Sequence, residues 1–416
     1  MQKIRILSIA LTVLVFAAAQ LASANPTNRY VCKANTSPAP PYTNWAGAAT
    51  NIQDALNAAY AGDSVLVSNG VYDVGGLTNY PAGTVLTNRV VIIKAVTVQS
   101  VNGPDATIIK GARSSDGNTN GSDAIRCVYM SAGSLIGFTL TNGATLQVNQ
   151  PVSGTNDNHN GGGVFCPNST TPVISNCVIV GNSAAYYGGG TCYGTLYSCV
   201  IAGNSSCYGG GGVSYGILHN CVVSNSVARH GGGAYGSTLY NCVVIKNLTS
   251  GYGGGLYYGM AYNSILVDNS VITLGYSLGG GMFGSTLYNC TVAGNSSSNI
   301  GGGTRGGVSF NCIVYFNSAP SESNWSGGTV FTNSCTAPAQ AGWAAGNIAV
   351  DPMFVNTNMA DYRLQMGSSC INAGTNMGWM SGVTDLDGRS RIDRYSGVVD
   401  MGCYEYLPAG TMYSVP

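Results

Sequence analysis

From Gly161 to Ser318 the apolar and polar positions recur in one unit. It reads Gly-Gly-Gly, a few residues, an aliphatic residue, an aromatic one, Asn-Cys, two or three β-branched residues, then Asn-Ser. The Asn-Cys-like pairs are Asn176-Cys177, Ser198-Cys199, Asn220-Cys221, Asn241-Cys242, Asn263-Ser264, Asn289-Cys290 and Asn311-Cys312, at successive gaps of 22, 22, 21, 22, 26 and 22 residues. Glycine triplets begin at 161, 188, 210, 231, 253, 279 and 301 and, after the first step, keep the same rhythm. Two independent columns sharing one period identify a true repeat. Each unit holds two or three short runs rich in Val, Ile, Leu, Thr and Tyr, too short for helices and suited to strands. A period near 22 is short for a propeller blade and lacks the leucine-rich pattern, but it suffices for one coil of three strands and three turns. The predicted fold is therefore all-β, a right-handed parallel β-helix of about ten coils. Stacked about 4.8 Å apart, the coils would make a rod on the order of 50 Å long.

In such a stack equal repeat positions form ladders. Ile174, Leu196, Leu218, Leu239 and Leu287 make one aliphatic row, interrupted by Ala261 and Ser309. Val178, Val200, Val222, Val243, Ile265, Thr291 and Ile313 make another. The Asn column fits a tight left-handed turn, which Asn tolerates, and the glycine triplets fit corners that a Cβ would obstruct. The cysteine file reads best as small buried apolar side chains. In-register side chains point the same way, so a bridge between rungs would be strained. A single file also cannot surround zinc. Cys32, Cys127, Cys370 and Cys403 stand off the file, where ordinary disulfides are more plausible.

The ends depart from the repeat. Lys3 and Arg5, an apolar stretch at 6–19 and Ala22-Ser23-Ala24 read as a cleavable secretory signal over residues 1–24. Thr50-Asn-Ile-Gln53 is a capping-box pattern opening a helix with Ile52, Ala55, Leu56, Ala59 and Tyr60 on one face, expected to lie over the open N-terminal coil. Strands are expected at 64–67, 90–93, 96–99, 107–109 and 135–140, in less regular early coils. Residues 319–349, with Trp325 and Trp343, read as loop or irregular cap. The division expected is thus a signal at 1–24, a β-helix at 25–350 (cap 45–72, regular repeats 161–318), a closing segment at 351–408 and a tail at 409–416.

Charge narrows the function. Only 8% of residues are charged, with Lys+Arg and Asp+Glu balanced at 16 each. No basic stripe exists to neutralise nucleic-acid phosphates, and no polybasic segment to hold an anionic membrane. No second apolar run follows the signal, so no membrane span is expected after cleavage. The implied setting is secreted or cell-surface, as a monomer.

Three stretches carry a resemblance. Asn51-Ile-Gln-Asp-Ala-Leu-Asn-Ala-Ala59 with Gly62-Asp-Ser-Val-Leu-Val-Ser-Asn-Gly-Val-Tyr72, and Leu135-Ile-Gly-Phe-Thr-Leu-Thr-Asn-Gly143, resemble the pectate-lyase-like β-helix superfamily. The Gly-Gly-Gly…Asn-Cys-x-Val-x-x-Asn-Ser unit is similar to polymorphic outer membrane protein repeats. The run from Asp351-Pro-Met-Phe through Asp361-Tyr-Arg-Leu and Gly367-Ser-Ser-Cys-Ile-Asn-Ala-Gly374 to Asp400-Met-Gly-Cys-Tyr-Glu405 looks like the tail of exported bacterial β-helix proteins. The resemblance implies the fold; its activities range over lyases, hydrolases and adhesins.

Elimination on a uronate needs a carboxylate cluster for Ca²⁺ plus a basic residue, and glycoside hydrolysis needs two placed carboxylates. Between Gly161 and Ser318 the charged residues are Arg229, Lys246, Asp268 and Arg305, so one carboxylate has no mate there. Arg229-His230-Gly231 resembles the His-Gly element of polygalacturonases, yet beside a glycine corner it suits structure better. The loops at 112–126 and 153–160, with Asp116, Asp123, Arg126, Asp157 and His159, are the place where catalysis would sit. The Asp385/Asp387/Arg389 group suits ion pairs closing the last coil better than Ca²⁺. No cofactor is expected; Ca²⁺ belongs only to the lyase alternative. Binding is better supported. Tyr193, Tyr215, Tyr235, Tyr257, Tyr258 and Phe283 follow the glycine triplets, and Tyr186, Tyr187, Tyr208, Tyr252 and Tyr276 precede them. Exposed, such a file would stack against an extended glycan, with Arg229, His230 and Arg305 alongside; buried, it would be core. The column Tyr197, His219, Tyr240, Tyr262, Tyr288, Phe310 divides the same way. The expected role is an exported scaffold binding extracellular polysaccharide or cell-surface glycan without catalysis. The alternative is a polysaccharide lyase or glycoside hydrolase.

Overall fold

A computed structural model describes residues 26–148, 157–167, 169–273, 277–340, 342–392 and 396–407. The proposed signal segment, loop residues 153–156, Tyr276, Arg394 and the 409–416 tail lie outside the described residues.

Branched side chains in runs of two to six residues, punctuated by residues that accept left-handed turns, leave the chain one way to satisfy its backbone: each run pairs with the same run one coil on. The result is a right-handed parallel β-helix. Its described strands form parallel sheets of twelve, ten and eleven strands, with a six-stranded strip at one corner. One coil shows the course. Thr191–Cys192 lies in the ten-stranded sheet, Thr195–Tyr197 in the twelve-stranded, Val200–Ala202 in the eleven-stranded and Ser205–Ser206 in the corner strip. Rungs are in register, Leu196 opposite Leu218 and Leu218 opposite Leu239.

The Asn column turns at φ between 47° and 54°, from Asn176 to Asn311, with Ser198 at 50° on its rung. Cys177, Cys199, Cys221, Cys242, Cys290 and Cys312 are buried along one file with Ser264 among them. All fourteen cysteines are free thiols, Cys32, Cys127, Cys370 and Cys403 included. A second file, unremarked in the sequence pattern beyond its Asn-Ser, holds the next corner from inside. Asn247 is buried, and its amide N–H and Nδ2 both donate to Asn269 Oδ1 at 3.0 Å. Asn269 donates likewise to Asn295, and Asn295 to Asn317. Each carboxamide thereby satisfies backbone groups that a sharp corner would otherwise strand in the dry interior.

Several expectations change. The helix α1 spans Ile52–Ala58 and is capped by Asn51, whose side chain accepts from the Asp54 amide, not by Thr50. Gln53, freed from the expected box, pairs with both backbone groups of Val91 and ties α1 to a strand edge. Ile52, Ala55, Leu56 and Ala59 are buried, but Tyr60 is 71% exposed. The stretch at 135–140 is two strands, Ser134–Ile136 and Thr139–Thr141, parted by Gly137 at φ 77°. Asn28–Val31 pairs with Ser64–Val67 ahead of the expected cap. Residues 319–349 supply one more coil, through Trp325–Ser326, Val330–Thr332 and Cys335–Thr336. The twelve-stranded sheet thus counts two rungs beyond the ten expected.

The Val178 row points outward. The core position is its neighbour, Ile179, Ile201, Val223, Val244, Leu266, Val292 and Val314, all fully buried. Strand alternation allows only one of two adjacent columns to face in. The outward row has a use. Ile265 and Ile313 are covered by the C-terminal segment, which packs Phe354, Tyr362, Leu364, Cys370, Met401 and Cys403 over them. That segment folds back along the flank and also packs against Cys335 of the last coil. The side chains of Asn263, Asn289 and Asn311 hold it through the carbonyls of Thr384, Asp400 and Thr375. Within it Asp385 is buried and accepts from the amides of Asp387, Arg389 and Glu405, while Asp387 pairs with Arg363 at 2.6 Å. These bonds shape the segment itself.

Candidate functional site

The outer face of the ten-stranded sheet collects the aromatic residues. Along its strands Tyr129, Phe165, Cys192, Ser214, Tyr235, Tyr257, Phe283 and Arg305 are successive register partners. Tyr193, Tyr215 and Tyr258 belong to the next column, at the following turn, so the expected single file of Tyr193, Tyr215, Tyr235 and Tyr257 is two offset files. The left-handed turn at Tyr193, Tyr215 and Tyr258 (φ 63°, 57° and 48°) sets the second beside the first. A third column, ahead of the glycine corners, runs Tyr187, Gly209, His230 and Tyr252, with Tyr208 one residue aside and stacked on Tyr186.

Ring contacts run along most of this face. Tyr80 meets Tyr129 at 6.0 Å between centroids, and Tyr129 meets Phe165 at 6.2 Å. Tyr187 meets Tyr215 and Tyr235 at 5.2 Å each. Tyr235 stacks on Tyr257 at 5.0 Å, and Tyr257 on Phe283 at 5.5 Å. Tyr187 is nearly buried; Tyr193, Tyr208, Tyr215, Tyr235, Tyr252, Tyr257 and Phe283 are half-buried, and Tyr258 is 58% exposed. The alternatives of surface and core both hold in part. Because adjacent rings cover one another's faces, the ribbon offers solvent mainly edges and phenol oxygens, not the open stacking platforms expected from spacing alone. Burial and the crowding of their rings raise the phenols of Tyr187 and Tyr215 above the ordinary range. Burial raises the Tyr257 phenol to about 12, so it stays a neutral donor and acceptor.

His230 lies within the ribbon, 8% exposed, stacked 5.1 Å from Tyr252 and 5.2 Å from Tyr257. Burial, aided by Arg229, holds its imidazole down to about 4, so it is neutral at pH 7. Arg229 points the other way along the same strand, Val227–His230. It is exposed beside a shallow groove of about 290 Å³ lined by Cys207, Val227, Leu248 and Ile272. Period-two alternation separates the two neighbours. Arg305, half-buried at the C-terminal end of the face, donates to the Gly327 carbonyl at 2.6 Å.

The loop residues do not converge. Asp123 accepts from Ser114 and Ser115, which hold it at about 2, and Asp116 accepts from Asn118 in the same exposed turn. Asp157 is half-buried at the N-terminal end of the aromatic face. Burial raises its carboxyl above the usual range, with Arg126 pulling it back. Arg126 is fully buried, spending its donors on Asn88 Oδ1 and the carbonyls of Gly161, Asp157 and Asn160 and lying 4.9 Å over the Phe165 ring. His159 is buried beside Asn160. Among the described residues no group of three or more His, Cys, Asp or Glu is placed to hold a metal ion, and no helix is long and apolar enough to cross a membrane. Asp116 and Asp123 share one turn, and among the described residues no third carboxylate is grouped with them. Sequence spacing missed the linking part of Tyr80, which lies ahead of the repeat.

The second aromatic column is an external stack on the twelve-stranded sheet. Tyr197, His219, Tyr240, Tyr262, Tyr288 and Phe310 follow one another at 4.8–5.1 Å, within 11° of parallel. Trp379 of the C-terminal segment caps it edge-on at Tyr262, 5.2 Å away.

No protein-family profile matches the chain, and no curated protein matches it in sequence. Among solved structures, pectate lyase Pel9A superposes with a TM-score of 0.55 at 13% identity, covering 92% of this chain and 97% of its own. A rhamnogalacturonan lyase reaches 0.43 at 11% identity over 92% and 97%. The A-module of mannuronan C-5 epimerase AlgE6 from Azotobacter vinelandii reaches 0.29 at 15% over 68% and 87%. The likeness to Pel9A is one of fold.

Proposed function

We propose that this protein is an exported scaffold that binds an extended polysaccharide along the aromatic face of the ten-stranded sheet, without catalysis. The observation that carries this is the partly exposed ribbon of rings from Tyr129 to Phe283. Rings fixed one coil apart, about 4.8 Å, suit a polymer whose sugars repeat on a similar scale. Phenol oxygens supply polar contacts, and a rigid sheet loses little entropy on binding. A pectate lyase shares the fold, which fits a polysaccharide ligand. Export rests on the signal-like N-terminus. The test is affinity electrophoresis in gels containing polysaccharides, comparing wild type with Tyr215→Ala/Tyr257→Ala. Retardation of wild type that the double variant loses, with circular dichroism unchanged, supports binding; equal mobility of both sinks it.

The lyase or hydrolase alternative keeps one supporting observation, the raised carboxyl of Asp157 beside the aromatic face. Its expected companions Asp116 and Asp123 are engaged in their own turn. Release of reducing ends or unsaturated products that Asp157→Asn abolishes would establish it.

A further inference from the structure

We infer that the polymer taken by the aromatic face is an uncharged glycan and not a polyuronate. This deepens the binding role proposed above and rests on it. Between Tyr129 and Phe283 the columns of the face contribute rings, Ser214, glycines and the buried, neutral Cys192 thiol, with two further ionisable groups besides tyrosine: the Asp157 carboxyl and the His230 imidazole. Neither is a cation at neutral pH. The arginines nearby are turned away or already used. Arg126 lies beneath the face with its donors on Asn88 and three carbonyls. Arg229 opens onto the groove behind the corner, and Arg305 stands beyond the last ring.

A uronate laid on this surface would exchange water for ring edges and phenols with no counter-charge, a costly exchange for an anion. A carboxyl at one end of the track adds repulsion whenever it ionises. Nor would the field of the whole chain draw in a polyanion, because its net charge is zero. Sugar hydroxyls face none of these costs; a neutral phenol both donates to and accepts from them.

The experiment measures the full chain by affinity electrophoresis against neutral polymers (a β-glucan, a xylan, a galactomannan) and against polygalacturonate and alginate. At least one neutral polymer is expected to bind, with affinity changing less than about twofold as salt screens charge. Both polyuronates should bind about tenfold more weakly or worse. A polyuronate that binds as tightly as the best neutral polymer, with affinity falling as salt rises, overturns the neutral assignment while leaving the face a binding site. Failure of every polymer to bind takes down the binding role itself, and the assignment with it.

Discussion

Replacing Asn269 by Leu should loosen the middle of the rod from within. Asn269 Oδ1 is the acceptor for the Asn247 amide N–H, and its Nδ2 donates to the Val244 carbonyl at 2.9 Å and to Asn295 Oδ1 at 2.9 Å. Leucine is close in size but offers neither group. The buried Asn247 amide then has no acceptor, while the Val244 carbonyl and Asn295 Oδ1 each lose one of their donors. One orphaned buried donor costs about 1–3 kcal/mol, and with the weakened acceptors about 3 kcal/mol is expected. Long repeat arrays do not unfold in one step, so a local readout is needed. Hydrogen exchange in peptides covering 244–270 should accelerate roughly a hundredfold, the equivalent of that energy. Asn269→Ser is the control. Ser226 already occupies this rung and still accepts from the Asn204 amide through Oγ at 3.4 Å, so serine should cost less than half as much. Exchange in the leucine variant within about threefold of wild type would show that the carboxamide file does not hold the corner.

Gly189→Ala should destabilise by about 3 kcal/mol, because a Cβ there would lie 2.1 Å from the Ser205 carbonyl oxygen. Gly203→Asn should stay within about 0.5 kcal/mol of wild type, since its left-handed turn meets nothing and Asn225, Lys246 and Asp268 adopt it on other rungs; urea unfolding reads both. Native thiol labelling should modify Cys207 fast and the file hardly at all, a pattern Cys207→Ser removes; fast labelling of several thiols would contradict the burial. Burial would raise Asp63, but the amides of Tyr60 and Thr27 and the Arg29 guanidinium bring it below its ordinary 3.8. A lowered folded pKa gives stability that is present above the unfolded value and lost as pH falls through the folded one. The pairing of Asn28–Val31 with Ser64–Val67 should thus weaken below about pH 4, and Asp63→Asn should flatten that dependence of exchange at Ser64, whose amide donates to the Thr27 carbonyl.

The repeat was legible because it is imposed twice, by the Asn turn and by the glycine corner, and each has a residue preference visible in a single chain. Which of two adjacent columns faces inward was not. Val178 and Ile179 are both β-branched, and only the coil's closure decides between them. Nor could spacing reveal that the C-terminal segment lies along the flank. Ile265 and Ile313 look like any rung until the segment covers them. At the candidate site the tyrosines were visible, but their assignment to separate columns depends on turns one residue long. His230 and Arg229 are adjacent in sequence and part company for the same reason.

From Thr191 onward each strand of the solenoid finds its partner 21 to 27 residues earlier, as Leu218 finds Leu196 and Val213 finds Thr191, while in the early coils the step is 31 to 39 residues. Once α1 and the first rungs are in place, each new turn needs only the one already laid down, and loop closure stays cheap along the whole length. Assembly can therefore run from the amino terminus as residues become free, like a rope coiled from its fixed end. The flank segment is the exception: its seat on Asn263, Asn289 and Asn311 exists only after those coils are wound.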